Sequence, residues 1–547
     1  MANIQSSFSD RILSFIKAKY FLVLILWLVL TGININKAFH IDDTFHLGAA
    51  AWITNHPATP MSGMINWSNI PTPFYRHNQP PLFFYLIAVT SWFFGMSEVP
   101  LHLLIAIFTF LALFGFQKIL DYLKVEAPTI LLLLFGFCPA FIINQNVMTD
   151  VPMLAIILWS SYFLLLAGRS NKTRNYILTA LLLSTGLLIK YSILPLVVVL
   201  LIVIIVRRDF KYLYAVTIPL IVLTLWSIWN NWEYGSIHFL DRPKGEIHIK
   251  RMWSFFACVG SIATFSFSLL FGAFPIRYSK IILSFIFTIS LAIIAAYSSG
   301  IMNDTQTADL LNICFILNGF IILVILIRQF SLHIHGGGFN QFIKTDSFTI
   351  FLYVSALSAF ILLMAPFNAT RHILLIIPFI LLYTNRFIAN AIKSINLMTV
   401  GVTIILGLLL GLSDYKYADY YRVMASELAP SSNKTIWTTG HWGWQWYSEK
   451  NGMKQYNTDQ SEVKPGDYLI YPQNIPRQKL SKKIRISLVD KKWHEPNLLT
   501  FFSVSNYASM YSSSLEIPPW TLSRRPIDTI FIYRIDQLVT DTISTNK

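Results

Sequence analysis

Long apolar runs recur along most of the chain and predict the membrane-spanning part of the fold. A run of about 18 or more apolar residues can cross a hydrocarbon core of about 30 Å as a helix. We therefore expect about thirteen spanning helices, near residues 17–36, 100–118, 127–144, 151–168, 176–190, 192–206, 211–230, 252–272, 280–299, 309–328, 347–365, 372–388 and 396–413. Residues 1–413 are predicted to form an all-α, polytopic membrane domain.

The segment 80–95 is ambiguous because it is apolar but short, and it opens with two prolines. The positions of Lys and Arg decide its placement, since short basic loops stay on the cytoplasmic side of a membrane. If the segment does not cross, nearly all short-loop cations fall on that side: Lys118, Lys124, Arg169, Lys172, Arg174, Arg207, Arg208, Lys211, Arg277, Lys280, Arg328, Lys344, Arg386 and Lys393. We therefore expect 80–95 to lie at the outer surface, within an outer loop that covers 37–99.

One predicted outer loop, 231–251, departs from this charge pattern because it carries Arg242, Lys244, Lys250 and Arg251. Either the loop merely tolerates these cations, or they attract an anionic lipid headgroup at the membrane surface. The sequence leaves both interpretations open.

The composition changes after Leu412, where charged and turn residues replace the apolar runs. Short runs rich in β-branched and aromatic residues follow at 435–439, 467–471, 484–489 and 528–533, and such runs favour strands. Residues 414–547 are therefore predicted to form a small α/β or mostly β domain, which the loop charges place outside, on the periplasmic side.

Overall composition supports membrane residence and excludes other classes. Of the 547 residues, 54% are hydrophobic and only 13% are charged, whereas a soluble domain carries about a quarter charged residues. The net charge of +15 could indicate nucleic-acid binding, but the basic residues sit mainly in short loops between apolar runs. That distribution is typical of membrane topology, so we expect no nucleic-acid partner.

The N-terminus and the cysteines add two smaller expectations. Arg11, Lys17 and Lys19 precede the first apolar run as in a secretory signal peptide, but no small-residue cleavage site follows. A retained first helix is therefore expected. The three cysteines lie in apolar stretches without CxxC spacing, which indicates neither a disulfide framework nor a zinc site.

Two adjacent carboxylates, Asp42 and Asp43, follow the first helix at the predicted membrane boundary. Carboxylates are costly to desolvate there, and they are placed where a base could meet a substrate held at the interface. They could instead cap the helix that begins near Thr44, where a negative charge is favoured by the helix dipole.

Further polar residues gather on the same predicted outer face: His46, His77, Asp150, Lys190, Arg371 and His372. Each alone has a simpler explanation, since Asp150 could cap a helix and Lys190 could extend its amine to the membrane surface. Their shared face was not used to fix the topology, which rests on other Lys and Arg residues. The coincidence favours one shared site.

These residues stand in motifs that resemble GT-C glycosyltransferases, including the bacterial aminoarabinose transferases that act on lipid A and the protein O-mannosyltransferases. Asp42-Asp43-Thr44-Phe45-His46 is similar to their Asp-Glu-x-x-Tyr motif. Further resemblances follow in order along the chain: His77-Asn78-Gln79-Pro80-Pro81-Leu82-Phe83-Phe84-Tyr85, Thr149-Asp150-Val151-Pro152, Gly186-Leu187-Leu188-Ile189-Lys190-Tyr191, Arg371-His372-Ile373-Leu374 and, like the outer domain of bacterial mannosyltransferase-like members, Gly440-His441-Trp442-Gly443-Trp444-Gln445-Trp446-Tyr447 with Pro465-Gly466-Asp467.

The chain departs from the family pattern at two places. Asp43 replaces the usual Glu, which is a mild change. Asn78-Gln79 stands where the aminoarabinose enzymes carry an acidic-basic pair before the proline. The resemblance therefore implies neither a lipid A acceptor nor a metal held by that acid.

The resemblance implies an inverting transfer from a polyprenyl-phosphate sugar to a lipid, glycan or protein acceptor, in a bacterial inner membrane. Asp42 would be the general base, with Asp43 as its catalytic neighbour. Asp43 and Asp150 would orient the acceptor or hold a divalent cation, and His46 and His77 would contact substrate. Lys190, Arg371 and His372 would stabilise the departing lipid phosphate. Whether a divalent cation takes part is left open, and no other cofactor is implied.

Two other classes of function compete with this one. A lipid-linked sugar flippase usually carries ionisable residues near the bilayer midplane and paired repeats, whereas here the charges gather at helix ends. A non-catalytic glycan-binding assembly protein would use the tail aromatics, which could stack on sugars, lie at the membrane surface or form a core: Trp437, Trp442, Trp444, Trp446 and Tyr447.

Overall fold

The computed structural model describes residues 19–77, 79–242, 245–246, 248–430, 435–496, 508–511 and 517–538. Four residues used above, Arg11, Lys17, Asn78 and Lys244, lie outside the described residues.

Helices dominate the described chain up to residue 427. Their bounds are α1 Lys19–Asn34, α2 Asp43–Asn55, α3 Leu82–Phe94, α4 Glu98–Leu123, α5 Pro128–Gly136, α6 Pro139–Ile143, α7 Asp150–Leu166, α8 Lys172–Leu187, α9 Leu194–Val206, α10 Tyr214–Tyr234, α11 His238–Asp241, α12 Ile249–Ile262, α13 Ser266–Ala273, α14 Ile276–Ser298, α15 Asp304–Gly337, α16 Phe339–Phe342, α17 Asp346–Leu363, α18 Thr370–Leu374, α19 Ile377–Tyr383, α20 Asn385–Asn390 and α21 Lys393–Glu427. Each predicted span overlaps one or more of these helices, and the chain is a multi-pass membrane protein.

The predicted number of spans is not confirmed. Within the described residues, six helices are long and apolar enough to cross a membrane, or seven if α12 and α13, bent by 92°, count as one span. Some predicted spans are short helices, and others are broken. The run 127–144 divides into α5 and α6 at Pro139, because proline cannot continue a preceding helix. The run 372–388 divides into α18, α19 and α20.

One end of the helical domain collects the basic loops that the charge pattern places inside. Arg169 contacts Asp346 at 2.8 Å and Arg207 approaches the same carboxylate at 3.8 Å. Lys172 pairs with Asp209 at 2.6 Å. Loops that are distant in sequence thus meet at one end, as the predicted topology requires.

The first outer loop folds into helix α2, a short hairpin of β1 (Met64–Asn66) and β2 (Pro71–Pro73), and helix α3. Helix α3 has 13 residues and is about 20 Å long, shorter than a hydrocarbon core of about 30 Å. Helix α9, within the predicted span 192–206, also has 13 residues, so length alone does not decide whether segment 80–95 crosses, and its placement outside stays a prediction. The backbone amide of Leu82 donates to the Leu188 carbonyl at 3.0 Å, which holds the start of α3 beside the Lys190 segment.

The predicted domain boundary between residues 413 and 414 falls inside α21, which continues to Glu427. The polar residues that begin at Asp414 mark where this helix leaves its apolar surroundings, not where it ends. Asp414 itself is fully buried. The C-terminal sheet region begins later, at Ile436.

All four predicted strand regions form strands of one five-stranded sheet. The strands are β3 Ile436–Thr438, β4 Lys454–Gln455, β5 Tyr468–Pro472, β6 Ile484–Lys492 and β7 Ile530–Leu538, in the order β4-β3-β5-β7-β6. Strand β3 pairs in parallel with β4 and β5, and β7 pairs antiparallel with β5 and β6. Helix α22 (Trp442–Lys450) completes a small α/β region.

Helix α22 docks directly on the first outer loop. The Thr44 hydroxyl donates to the Trp442 carbonyl at 2.5 Å, and the Phe39 amide donates to the Tyr447 hydroxyl at 2.8 Å. A Cβ on Gly443 would stand 2.1 Å from the Phe39 carbonyl oxygen, so glycine permits this close approach. The C-terminal region therefore packs against the loop that carries Asp42.

Candidate active site

A cavity of about 240 Å³ lies where the first outer loop, the Lys190 segment and the start of α18 meet. Six of the sequence-predicted site residues line it: Asp42, His46, His77, Lys190, Arg371 and His372. Two predicted site residues, Asp43 and Asp150, do not line it. The cavity wall also includes Trp67, Gln79, Arg242 and Phe360.

Asp42 is held in the cavity wall by Arg371. The guanidinium Nη1 lies 2.7 Å from Asp42 Oδ2, and 31% of the Asp42 side chain stays accessible. Asp42 stands at the N-cap position of α2 but makes no side-chain capping bond, so capping does not explain it. Ile41, directly before it, has a left-handed φ of 50°. A branched residue in that region costs about 1–3 kcal/mol, and such strain clusters at functional sites.

Asp150 supports Lys190 from behind the cavity. The Lys190 amine donates to Asp150 Oδ1 at 2.6 Å, and both side chains are buried. Asp150 is the first residue of α7, whose N-cap is Thr149. Neither simple explanation therefore fits, because Lys190 does not extend to a membrane surface and Asp150 is not the cap. The pair fixes a cation at the cavity wall.

The cavity histidines are neutral, because burial lowers their pKa values. The pKa of His46 falls to about 4, and that of His77 also falls to about 4. His46 Nδ1 lies 2.8 Å from the Val147 carbonyl. A carbonyl only accepts, so Nδ1 carries the proton and Nε2 is left as an acceptor.

Asp43 lies behind the cavity, although the sequence motif makes it a neighbour of Asp42. Its Oδ2 accepts from the His40 amide at 2.8 Å, and its buried Oδ1 has no hydrogen-bond partner. Burial raises the pKa of Asp43 from its usual 3.8 to about 8. Successive helix residues point in different directions, which places the two carboxyl groups in different surroundings.

The cations of the outer loop 231–251 have different surroundings. Arg242 lines the cavity, with its guanidinium 5.4 Å from the centre of the Tyr191 ring. Arg251 is buried and donates to the Ile361 carbonyl at 2.7 Å. One loop cation therefore faces the candidate site, while another binds backbone carbonyls at the end of α17.

Sequence reasoning missed a second buried ion pair, between Lys37 and Asp414, in which both side chains are inaccessible. Its members are 377 residues apart. The signal available in the sequence was that Lys37 directly follows the first apolar run and Asp414 directly follows the last. Trp67 was also missed, since no motif distinguishes it from other loop aromatics.

Two of the tail aromatics, Trp444 and Tyr447, belong to a core, while Trp437, Trp442 and Trp446 are half-buried. Trp444 is fully buried, and its indole nitrogen donates to the Thr438 hydroxyl at 2.8 Å and to the Thr439 carbonyl at 2.9 Å. Tyr447 is also buried. These contacts favour the core interpretation of Trp444 over a role in stacking on a glycan.

Three cations, Lys190, Arg242 and Arg371, share the cavity wall with one carboxylate, Asp42. An excess of positive charge in a partly desolvated pocket suits a phosphate group. Within the described residues, no three His, Cys, Asp or Glu side chains are grouped to hold a metal ion. The arrangement can bind an anion and present a carboxylate beside it.

One comparison with known proteins supports the resemblance to the protein mannosyltransferases. Residues 78–232 match the family model of dolichyl-phosphate-mannose-protein mannosyltransferase. A search of curated proteins gives no match.

Among solved structures, ArnT from Cupriavidus metallidurans bound to undecaprenyl phosphate is 11% identical, with a TM-score of 0.39 over 85% of this chain and 93% of that one. AglB from Archaeoglobus fulgidus, an oligosaccharyltransferase in complex with an inhibitory peptide and a dolichol-phosphate, is 9% identical, with a TM-score of 0.46. The match covers 83% of this chain and 69% of that one. The family model confirms the resemblance to the protein mannosyltransferases within residues 78–232.

Proposed function

We propose that the chain is an inverting glycosyltransferase that moves a sugar from a polyprenyl-phosphate donor to an acceptor at the outer face of the membrane. The observation that carries the proposal is one cavity that holds both the Asp42 carboxylate and three cations, Lys190, Arg242 and Arg371. A base and a phosphate site are the two parts that such a transfer requires.

An apolar cleft beside the cavity suits a lipid-linked donor. This second cavity, of about 130 Å³, is lined by Phe239, Leu240, Arg242, Phe360 and Met364. It shares Arg242 and Phe360 with the larger cavity. Leu240 and Met364 are exposed on the protein surface. A donor phosphate at Arg242 would thus have its polyprenyl chain beside apolar side chains.

In the proposed reaction, Asp42 takes the proton from an acceptor hydroxyl or amine. The acceptor atom forms a bond to the anomeric carbon from the side opposite the phosphate, so the configuration inverts. The bond between that carbon and the phosphate oxygen breaks, and its electron pair leaves with the lipid phosphate. Lys190, Arg242 and Arg371 stabilise the resulting charge, with His372 at the same wall.

The remaining predicted residues take supporting roles in this proposal. Asp150 fixes the Lys190 amine through its ion pair. His46 and His77 line the cavity as neutral side chains that offer hydrogen bonds to sugar or acceptor hydroxyls. Asp43 supports the turn before α2 by accepting from the His40 amide. The proposed setting is a bacterial inner membrane, with the C-terminal region on the periplasmic side.

The test uses the full-length protein in liposomes with a panel of polyprenyl-phosphate sugars and a membrane acceptor extract. We expect release of free lipid phosphate together with glycosylation of an acceptor. A flippase would instead move the intact donor between leaflets without release, and a glycan-binding assembly protein would do neither. Either result, with folded protein, would contradict the proposal.

A further inference from the structure

The described segment 508–511 of the C-terminal region reaches into the membrane domain behind the cavity. Tyr511 is buried there, and the Met510 carbonyl accepts from the Thr370 hydroxyl at 2.7 Å. Thr370 directly precedes Arg371, the partner of Asp42. A segment far along the chain therefore bonds to the helix that presents a candidate phosphate ligand.

The Tyr511 hydroxyl also bonds to the loop before Asp150. Asn146 donates its side-chain amide to this hydroxyl at 2.9 Å. The same hydroxyl lies 3.4 Å from the Ile143 carbonyl. Residues 144–149 connect α6 to α7, so the contact with Asn146 lies just before the helix whose first residue is Asp150.

Tyr511 also contacts Asp414 of α21 and the start of the first outer loop. Its hydroxyl donates to Asp414 at 2.8 Å and lies 3.4 Å from the Lys37 amine. The His40 ring packs edge-on against Tyr511, with ring centres 5.4 Å apart. Lys37 and His40 stand just before Asp42, and Asp414 holds Lys37 in a buried ion pair.

Residues 510 and 511 thus contact the three segments that carry Asp42, Asp150 and Arg371. Buried polar groups need their partners, and a buried charge left short of hydrogen bonds is costly. The Tyr511 hydroxyl can supply a hydrogen bond to the buried Lys37–Asp414 pair only when the three segments lie in the observed positions. This requirement fixes the segments relative to one another.

We infer that Tyr511 is a positioning residue, through which the C-terminal region sets the relative placement of Asp42, Asp150 and Arg371. It does not line the cavity, so it acts on these side chains only through the segments that carry them. Its effect on transfer rests on the proposed function, whereas its effect on the three segments does not. A displacement of catalytic groups by about 1 Å relative to one another can lower the rate about 100-fold.

The test compares Tyr511→Phe with Tyr456→Phe in the full chain. Tyr456 is equally buried in the C-terminal region, and its hydroxyl accepts from the Ser481 amide at 3.1 Å, away from the cavity. Both changes remove one hydroxyl and keep the ring. Hydrogen–deuterium exchange would follow segments 37–46, 143–150 and 370–374. We expect faster exchange in all three for Y511F and in none for Y456F.

Kinetics give the second readout. We expect kcat to fall roughly 10- to 100-fold in Y511F, with a smaller change in the donor KM. In Y456F we expect both kcat and KM to match the wild type. Thr370→Val, which removes the bond to Met510, should lower kcat as well. The double variant should lose less than the product of the single losses, because both act through the same segment.

Unchanged exchange in the three segments of Y511F would overturn the inference, whether or not the protein transfers sugar. If wild type shows no transfer but Y511F alone loosens the segments, the proposed function fails and the positioning role stands. If Y511F matches Y456F in both exchange and kcat, while D42N is inactive, only the positioning role fails.

Discussion

The two ends of the helical domain use the same kind of ion pair in different surroundings. At the basic end, Arg169 pairs with Asp346 at 2.8 Å, and the Arg169 side chain is 55% exposed. At the site end, Arg371 pairs with Asp42 at 2.7 Å, and the Arg371 side chain is 8% exposed. The distances hardly differ, and the two carboxylates are similarly accessible, Asp346 at 22% and Asp42 at 31%. What differs is the access of water to the guanidinium.

That difference indicates what each end does. Exposed ion pairs contribute about 0–1 kcal/mol because water screens them, and the predicted topology rests on the loop cations of the basic end. Buried pairs cost desolvation energy, and ionisable groups held at membrane depth are usually functional. A new anion, such as a lipid phosphate, gains more from the buried cations, since the surrounding dielectric is low.

The largest expected effect is that of Asp42→Asn, because it removes the proposed base and keeps the side-chain shape. We expect kcat for transfer to fall by about 100- to 10,000-fold. Asp346→Asn is the matched control, since it neutralises the carboxylate of the arginine pair at the basic end. Steady-state release of lipid phosphate measures both variants. Equal activity of D42N and D346N would abolish the functional contrast between the two ends.

The next effect is that of Arg371→Gln, which removes a proposed phosphate ligand and frees Asp42. Loss of a donor that stabilises developing charge typically costs about 100- to 1,000-fold in kcat. Saturation kinetics with the polyprenyl-phosphate sugar would measure it. An R371Q protein with unchanged kcat would remove Arg371 from the phosphate site.

Asp43→Asn is expected to change how the stability of the protein depends on pH, whereas Asp42→Asn is expected to change activity. Since the pKa of folded Asp43 is about 8, the folded protein keeps this proton between about pH 4 and 8, where the unfolded chain loses it. The folded state then binds more protons, so stability falls as pH rises through that window. We expect D43N to weaken this fall and to retain most transfer activity. Thermal melting in detergent from pH 5 to 8 would measure the slope, and an unchanged slope would contradict a raised pKa.

The smallest effect is expected from Arg169→Gln at the basic end. Its pair is exposed, so the loss of stability should stay within about 1 kcal/mol, and transfer should be unaffected. Thermal melting and lipid-phosphate release would measure the two quantities. A loss of kcat as large as that of R371Q would mean that the two ends are coupled.

The sequence predicts a large part of this site because the relevant residues stand at the ends of apolar runs. Asp42, Lys190 and Arg371 each follow or precede such a run, and the loop charges alone place them on one face. The strands could also be predicted, since alternating β-branched and aromatic residues mark β5 and β7. Local pattern was sufficient in each case.

Other features could not be predicted because they depend on three-dimensional contacts. Lys37 and Asp414 are 377 residues apart, and although each directly follows an apolar run, that position does not indicate which residue it pairs with. Asp42 and Asp43 are adjacent and chemically alike, yet only the fold decides that one faces the cavity and the other lies behind it. The 92° bend between α12 and α13 likewise interrupts an apolar run that the sequence predicts to be one span.

In the proposed reaction, Asp42 activates an acceptor for direct displacement of a lipid phosphate. The most direct measurement is a single turnover of wild type and D42N with an anomerically defined polyprenyl-phosphate sugar and acceptor, following lipid-phosphate release and the product anomer. We expect wild type to release lipid phosphate and form the inverted product, and D42N to do neither at a comparable rate. Undiminished release by D42N, or a product with retained configuration, would contradict the claim.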